Sequence, residues 1–450
     1  MRRLRLRLRL PLISAYTAPP AHAGMNEVAA LPVSRGFDTH LGYLSGAEDY
    51  YAHIPGDASP PAYDFVIGAA APSGSQPSLV PAVQYNGSYS TTVLTAAAVE
   101  LIANTPVDGQ RLFLYLAFQN VHWPLQAPQA YIDGCANRTG GNAQRQAVCA
   151  MACILDEAIG NVTAALAAAG FDDSNTLIVF TSDNGGPENG DEGTESNNYP
   201  LRGGKNTLWQ GGVRVDGVVA GTGIQLPAGS SLTESVHATD WLPTLVSMAS
   251  GANWTTFIPP TEPPYQLGDG MDVWSSLSTG APSPRDYILL ETHPANASDG
   301  DRVHGDGLIV GQWKLLRWGP TMPQVENGWF PPPGQDPANT TYTVNCGGPP
   351  PSKVDPNACG GSSWCLFDID ADPCEYNDVS AQHPDIVDQL KARLATFQAT
   401  AVPPLVPTGC NSVPVRVYPS QALAWWPCDL PPPPPPPVLA LQADGSGVAV

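Results

Sequence analysis

Four polar side chains stand just beyond apolar runs, where chemistry is usually placed. Asp183 and Asn184 follow Leu177-Ile178-Val179-Phe180. A short, β-branched, aromatic run of this kind is expected to be a strand buried on both faces of a parallel sheet. Open α/β sheets bind ligands at the carboxyl ends of such strands. A carboxylate and an amide oxygen side by side suit a hard divalent cation such as Ca²⁺. Lys205 closes Leu201-Arg202-Gly203-Gly204-Lys205 and is one of only four lysines, with Lys314, Lys353 and Lys391. His122 follows the apolar residues 112–117 in Asn120-Val121-His122-Trp123-Pro124, where a proline-stiffened turn would hold an imidazole in place. Taken singly, each has a plainer reading: Asp-Asn-Gly-Gly is a turn, a lysine is a solvated cation, and a histidine after a strand is structural.

The elements that must position these groups alternate between helical and strand patterns. Residues 89–104 read as a helix capped by Ser90 or Thr91. Residues 112–117 read as a second buried strand. Val148, Met151, Ile154, Leu155, Ile159, Val162 and Leu166 form a helical face that Gly170 should end. A strand at 177–180 and another at 213–220 complete the pattern of a wound α/β sheet. Beyond Pro282-Ser283-Pro284-Arg285 come short β-like runs at 287–290 and 307–318, then Leu366-Phe367-Asp368-Ile369, then a helix around 386–397. These divide the chain into a basic low-complexity leader (1–24), an α/β domain (25–285), a smaller α+β domain (286–428) and a polyproline tail (429–450).

Composition narrows the function. The chain has 450 residues, 42% of them hydrophobic, with 41 acidic and 20 basic residues. Five of the basic residues are arginines within the first ten positions, so the rest is more acidic still. Such a surface argues against a nucleic-acid partner and repels anions at long range. Six Asn-x-Ser/Thr sequons, at Asn86, Asn137, Asn161, Asn253, Asn296 and Asn339, go with nine cysteines that form no zinc-type spacing. That combination indicates the secretory pathway, toward an extracellular or lysosome-like compartment, with disulfides. Cys135 and Cys149 flank a polar loop and are candidates to pair, and the odd total leaves one thiol over. The leader is a poor signal peptide, and no stretch reads as a membrane span.

Order and spacing then change the weight of the separate pieces. Ser182-Asp183-Asn184-Gly185-Gly186, Pro200-Leu201-Arg202-Gly203-Gly204-Lys205 and Trp209-Gln210-Gly211-Gly212-Val213-Arg214 stand in series. This series resembles the sulfatase family, in its arylsulfatase B-like branch, which carries S-x-D-N-G-G, P-L-R-G-x-K and W-x-G-G-V-R. Arg35-Gly36-Phe37-Asp38 through Tyr43, Glu48-Asp49-Tyr50-Tyr51, Val121-His122-Trp123-Pro124-Leu125-Gln126, His237-Ala238-Thr239-Asp240-Trp241 and Asp269-Gly270-Met271-Asp272-Val273-Trp274 resemble further elements of that branch. The resemblance implies an alkaline phosphatase-like α/β fold and hydrolysis of sulfate esters, small or on a sulfated glycan. It implies Asp183 and Asn184 as ligands of a divalent cation, usually Ca²⁺, and Lys205 and His122 as catalytic contacts to the sulfate. The remaining motif residues, Asp240 among them, are expected to be structural.

The family's nucleophile is a formylglycine made within C/S-x-P-x-R near its opening. No cysteine here starts that string, and no serine is expected to, Ser283-Pro284-Arg285 having the wrong spacing. The early aspartate pair and G-K-W-H-L-G are also missing. The nucleophile and the first strand of the sheet are therefore expected to be absent from these residues. Two alternatives remain: a non-catalytic secreted glycoprotein on the same fold, and, more distantly, a phosphodiesterase of the wider superfamily.

Overall fold

The computed structural model describes residues 31–56, 63–71, 77–107, 111–187, 196–256, 269–293, 305–318, 359–360, 363–401, 413–417 and 422–426. The leader, the polyproline tail, Lys353, the sequons at Asn296 and Asn339, and Cys346, Cys410 and Cys428 lie outside these residues. The chain folds as two compact units: residues 1–170 with 406–450, and residues 171–405.

The first unit builds an antiparallel sheet from β1 (Thr39–Gly42), β2 (Val66–Ala69) and β3 (Ser78–Pro81), in that order. Helix α1 (Ser90–Ala103) packs along α3 (Ala143–Ala168), and α2 (Gln129–Cys135) packs on α3. Leu41, Tyr43, Phe65, Leu94 and Ala98 form the core between sheet and helix. Helix α3 ends as its sequence indicates, with Ala169 as C-cap and Gly170 left-handed at φ +86°. The Cys135–Cys149 disulfide is present. This unit also contains the hairpin of β10 (Val413–Val417) and β11 (Ala422–Trp426).

Several expectations are corrected. The cap of α1 is Tyr89, with no side-chain hydrogen bond, and Ser90 is already helical. Residues 112–117 belong to no ladder among the described residues: Phe113 and Tyr115 are exposed while Leu114 and Leu116 pack on the α1 core. Their apolar alternation suits a strand, but a ladder needs a neighbour, and none is found among the described residues. By length and composition α3 is also apolar enough to cross a membrane, contrary to the sequence reading. Its packing on α1 and α2 and its disulfide to α2 make it a helix inside a folded unit.

In the second unit, β4 (Leu177–Thr181) pairs antiparallel with β5 (Gly217–Gly221). The expected parallel strand buried on both faces is thus corrected. Among the described residues β4 has one neighbour and nothing covers the outer side of Phe180, which is 40% exposed. The run expected at 213–220 divides into the short helix α4 (Gln210–Val213) and β5. Helices α5 (Trp241–Ser250) and α6 (Trp274–Thr279) follow. A four-stranded antiparallel sheet then forms from β6 (Tyr287–Glu291), β7 (Gly305–Val310), β8 (Trp313–Trp318) and β9 (Cys365–Asp368). Leu308, Leu315 and Leu366 face Val387, Leu390 and Leu394 of α7 (Pro384–Thr400). Successive strand residues point to opposite faces. Lys314, Leu316 and Trp318 therefore share the other face, where Leu316 and Trp318 pack with Leu208, Trp209 and Phe367.

His40 on β1 is 1% exposed, and burial pulls its imidazole pKa down to about 4. The unfolded chain binds a proton here near pH 6.5, whereas the folded chain does not until about 4. Stability from this site is therefore complete above pH 6.5 and falls by about 3 kcal/mol as pH drops to about 4. Denaturant unfolding of the wild type and His40→Gln across pH 7 to 4 is expected to show a steeper acid loss in the wild type.

Candidate active site

The S-D-N-G-G turn, the P-L-R-G-G-K loop and the W-Q-G-G-V segment are tied together by backbone atoms. Gly185 N–H donates to Gly212 O at 3.0 Å, Lys205 N–H to Gly186 O at 3.2 Å, and Gly211 N–H to Arg202 O at 2.7 Å. Asn198 joins the same knot. Its Oδ1 accepts from Gly186 N–H at 2.9 Å, and its Nδ2 donates to Gly186 O at 2.7 Å and Gly203 O at 3.1 Å. Glycine is required because the chains touch: a Cβ on Gly185 would lie 1.6 Å from Gly211 O, and one on Gly211 would lie 2.1 Å from Gly203 O. Asp183, Asn184 and Lys205 are thus held on one backbone assembly. Asp183 is exposed and its Oδ1 accepts from Asn184 N–H at 2.9 Å; the Asn184 amide donates to Gly185 O at 2.8 Å.

Beneath that knot lies a buried charge network. Lys314 Nζ is 2.5 Å from Glu375 Oε1, with both side chains fully buried. Glu375 Oε2 accepts from Gln210 N–H at 2.7 Å, and Glu375 O accepts from Arg202 Nη1 at 3.2 Å. The Arg202 guanidinium stacks 3.4 Å above the Trp209 ring, which meets Trp318 edge-on at 4.6 Å. Burial pulls the Lys314 ammonium below its usual pKa, and pushes Arg202 down to about 9, against the pull of Glu375 on both. Glu375 itself holds the left-handed backbone at φ +55°, which costs a non-glycine residue about 1 kcal/mol. None of Glu375, Lys314 or Arg202 was singled out by chemistry in the sequence; only their burial together reveals them.

His122 lies in the first unit, and its loop is clamped by the E-D-Y-Y segment. Gln119 exchanges two hydrogen bonds with the Glu48 backbone, at 3.0 and 2.7 Å. Gln126 accepts from Tyr50 N–H at 2.9 Å and donates to Asp49 Oδ2 at 2.6 Å. Tyr50 O–H donates to His122 O at 3.0 Å, and Asn120 Nδ2 donates to Met151 O at 2.8 Å. His122 Nδ1 lies 2.7 Å from Trp123 O. That contact places the hydrogen of a neutral ring on Nδ1 and makes Nε2 the acceptor. Behind the clamp, Glu48 and His53 meet at 2.9 Å, both fully buried. Burial, with Asp64 and Asp49 nearby, raises the Glu48 carboxyl well above its usual pKa, and burial lowers that of His53. Both shifts favour the uncharged form of each partner.

Asp240 has the structural part expected of it. It caps the turn at His237 and is gripped by Arg285 Nε at 2.6 Å, both residues being buried.

One string escaped the sequence reading. Ser412-Val413-Pro414-Val415-Arg416 fits S-x-P-x-R, which corrects the expectation that no such serine exists. The pattern itself was the signal. Residues 413–417 form β10, paired with β11, near the end of the chain rather than ahead of S-D-N-G-G.

The sulfatase sequence model matches residues 14–252, more than half of the chain. The chain belongs to the sulfatase family. Mouse arylsulfatase J is 36% identical over 405 residues, covering 85% of this chain and 59% of the relative. Rat steryl-sulfatase is 28% identical over 298 residues, covering 64% of this chain and 45% of the relative. The chain thus spans well under two thirds of the length of these curated relatives. Among solved structures, Ps i-CgsB superposes with a TM-score of 0.58 at 22% identity, covering 89% of this chain and 79% of that one. PsFucS1 sulfatase from Pseudoalteromonas sp. gives 0.55 at 17%, covering 88% and 78%. These likenesses show the alkaline phosphatase-like α/β fold expected of the sequence.

Removing one member of a buried ion pair leaves an uncompensated charge. Glu375→Ala is expected to lower unfolding stability by about 3–5 kcal/mol, and Glu375→Leu with Lys314→Met to cost clearly less. Gly185→Ala is expected to cost more than about 3 kcal/mol, because backbone must move to admit the methyl. Urea denaturation followed by tryptophan fluorescence measures all three.

Proposed function

We propose that this chain carries the sulfate-binding residues of a sulfuric ester hydrolase of the arylsulfatase type, without the nucleophile at its family position. The observation that carries this reading is the glycine knot holding Asp183, Asn184 and Lys205 on one assembly. On this reading Lys205 supplies positive charge that stabilises charge developing on the sulfate in the transition state, and His122 remains the histidine that the family resemblance assigns to catalysis. The substrate is a sulfate ester, on a small molecule or a sulfated glycan; one structural neighbour, Ps i-CgsB, was solved in complex with k-i-k-neocarrahexaose. Exposed sequons at Asn86, Asn137, Asn161 and Asn253, with the disulfides, support a secreted or lysosomal glycoprotein. We keep residues 25–285 and 286–428 as its two functional segments.

The donors present fit a hard cation only in part. Asp183 offers one charge and Asn184 one amide oxygen, whereas Ca²⁺ takes six to eight oxygens, usually from several carboxylates. Among the described residues the group of three or more His, Cys, Asp or Glu close enough to share an ion is of cysteines, and Asp183 is not part of it.

Nucleophilic catalysis needs a nucleophile. The chain of residues 1–450 is expected to release no sulfate from an aryl sulfate. Turnover that vanishes in His122→Ala and in Ser412→Ala would show instead that Ser412 supplies the missing group. Calorimetric titration of the same chain is expected to show no tight Ca²⁺ binding. Tight binding lost in Asp183→Ala would mean that other carboxylates complete the site.

A further inference from the structure

The junction of α2 and α3 holds three sulphur atoms rather than two. Cys135, at the end of α2, is 1% exposed and bonded to Cys149. Cys153 is a free, half-buried thiol. Cys149 and Cys153 are four residues apart on α3, so they stand on one face, a turn apart. All three Sγ atoms lie within 4.8 Å of one another. A free thiol so close to a disulfide is placed for exchange, in which a thiolate attacks one sulphur and expels the other.

We propose that Cys135, Cys149 and Cys153 form a thiol–disulfide exchange site, in which Cys135 is bonded in turn to Cys149 and to Cys153. Cys153 gives its proton to solvent, and its thiolate attacks Cys135 Sγ. The Cys135–Cys149 bond breaks, and its electron pair leaves on Cys149 Sγ, which takes up a proton. One disulfide and one thiol remain, so no oxidant or reductant is consumed. The exchange moves the covalent anchor of α2 by four residues, about 6 Å of rise along α3. The other ties between these helices lie on either side of the sulphurs. Gln146 Nε2 donates to Ile132 O at 2.7 Å, and Tyr131 O–H donates to Glu157 Oε2 at 2.6 Å. They hold α2 in reach of both partners. Helix α2 begins directly after the clamped loop of His122, so the two linkages present that loop from two anchor points.

The chain offers a direct readout, because Met151 lies between Cys149 and Cys153. The folded protein is held at pH 8.5, quenched in acid with alkylation of free thiols, and cleaved with cyanogen bromide. A Cys135–Cys149 bond stays within the fragment ending at Met151. A bond from Cys153 joins that fragment to the next one and is lost on reduction. Trypsin cleavage at Arg138 and Arg145 then tells Cys135 from Cys149. The expected result is both linkages of Cys135 in the wild type, and none to the second fragment in Cys153→Ser. Cys149→Ser is expected to form the Cys135–Cys153 bond and to lose its alkylatable thiol at position 153. A wild type holding only Cys135–Cys149, with Cys153 fully alkylated, overturns the proposal. So does a Cys153 bond to Cys149, since it would make Cys149 the attacked sulphur.

Discussion

The buried contact of Glu375 with Lys314 is the interaction on which the second unit depends. Two full charges sealed from water cost heavily to desolvate and are tolerated only when each is met. Here one carboxylate meets the Lys314 ammonium and the Gln210 amide, while its backbone carbonyl meets Arg202. The three partners come from β8, α4 and the P-L-R-G-G-K loop. A single residue beyond the last strand of the four-stranded sheet therefore fixes the segments that carry Lys205 and, through the glycine knot, Asp183. That is a constraint of specificity more than of net stability, since an apolar replacement of the pair would be cheaper to bury.

The first unit solves the same problem with neutral groups. His122 sits on an irregular loop, whose backbone cannot satisfy itself through a ladder. Its Gln119 and Gln126 side chains satisfy backbone groups of Glu48 and Tyr50, its Asn120 amide donates to Met151 O, and Tyr50 O–H donates in return to His122 O. The E-D-Y-Y segment is thus the frame of the histidine loop, with the buried Glu48–His53 pair behind it. Each unit holds its chemical residues on backbone stitched to a rigid core rather than on a free loop.

What was legible in the sequence follows from the range of the forces involved. The helices α1, α3 and α7 were readable because their apolar spacing is local, and Gly170 ends α3 as its type indicates. The segments 182–186, 200–205 and 209–214 were readable as a series from motif order, and their backbones are bonded to one another. The pairing of β4 was not, because a four-residue apolar run looks the same in parallel and antiparallel sheets. Nor was the fate of residues 112–117, since a strand exists only with a neighbour. Arg202 and Glu375 are 173 residues apart, and no local pattern announces their contact. The odd cysteine total was countable, but the place of Cys153 beside the Cys135–Cys149 bridge required the helix to be built.

The central claim is that the segments bearing Asp183 and Lys205 form one rigid piece with the four-stranded sheet through Glu375. Native-state hydrogen exchange of the Gly185, Gln210 and Gly211 amides tests it most directly. The account predicts protection close to that of the β8 amides, opening only with the whole unit, and a selective loss of protection in Glu375→Gln. Exchange of these three amides at the rate of exposed loops, with β8 still protected and no response to Glu375→Gln, would contradict it.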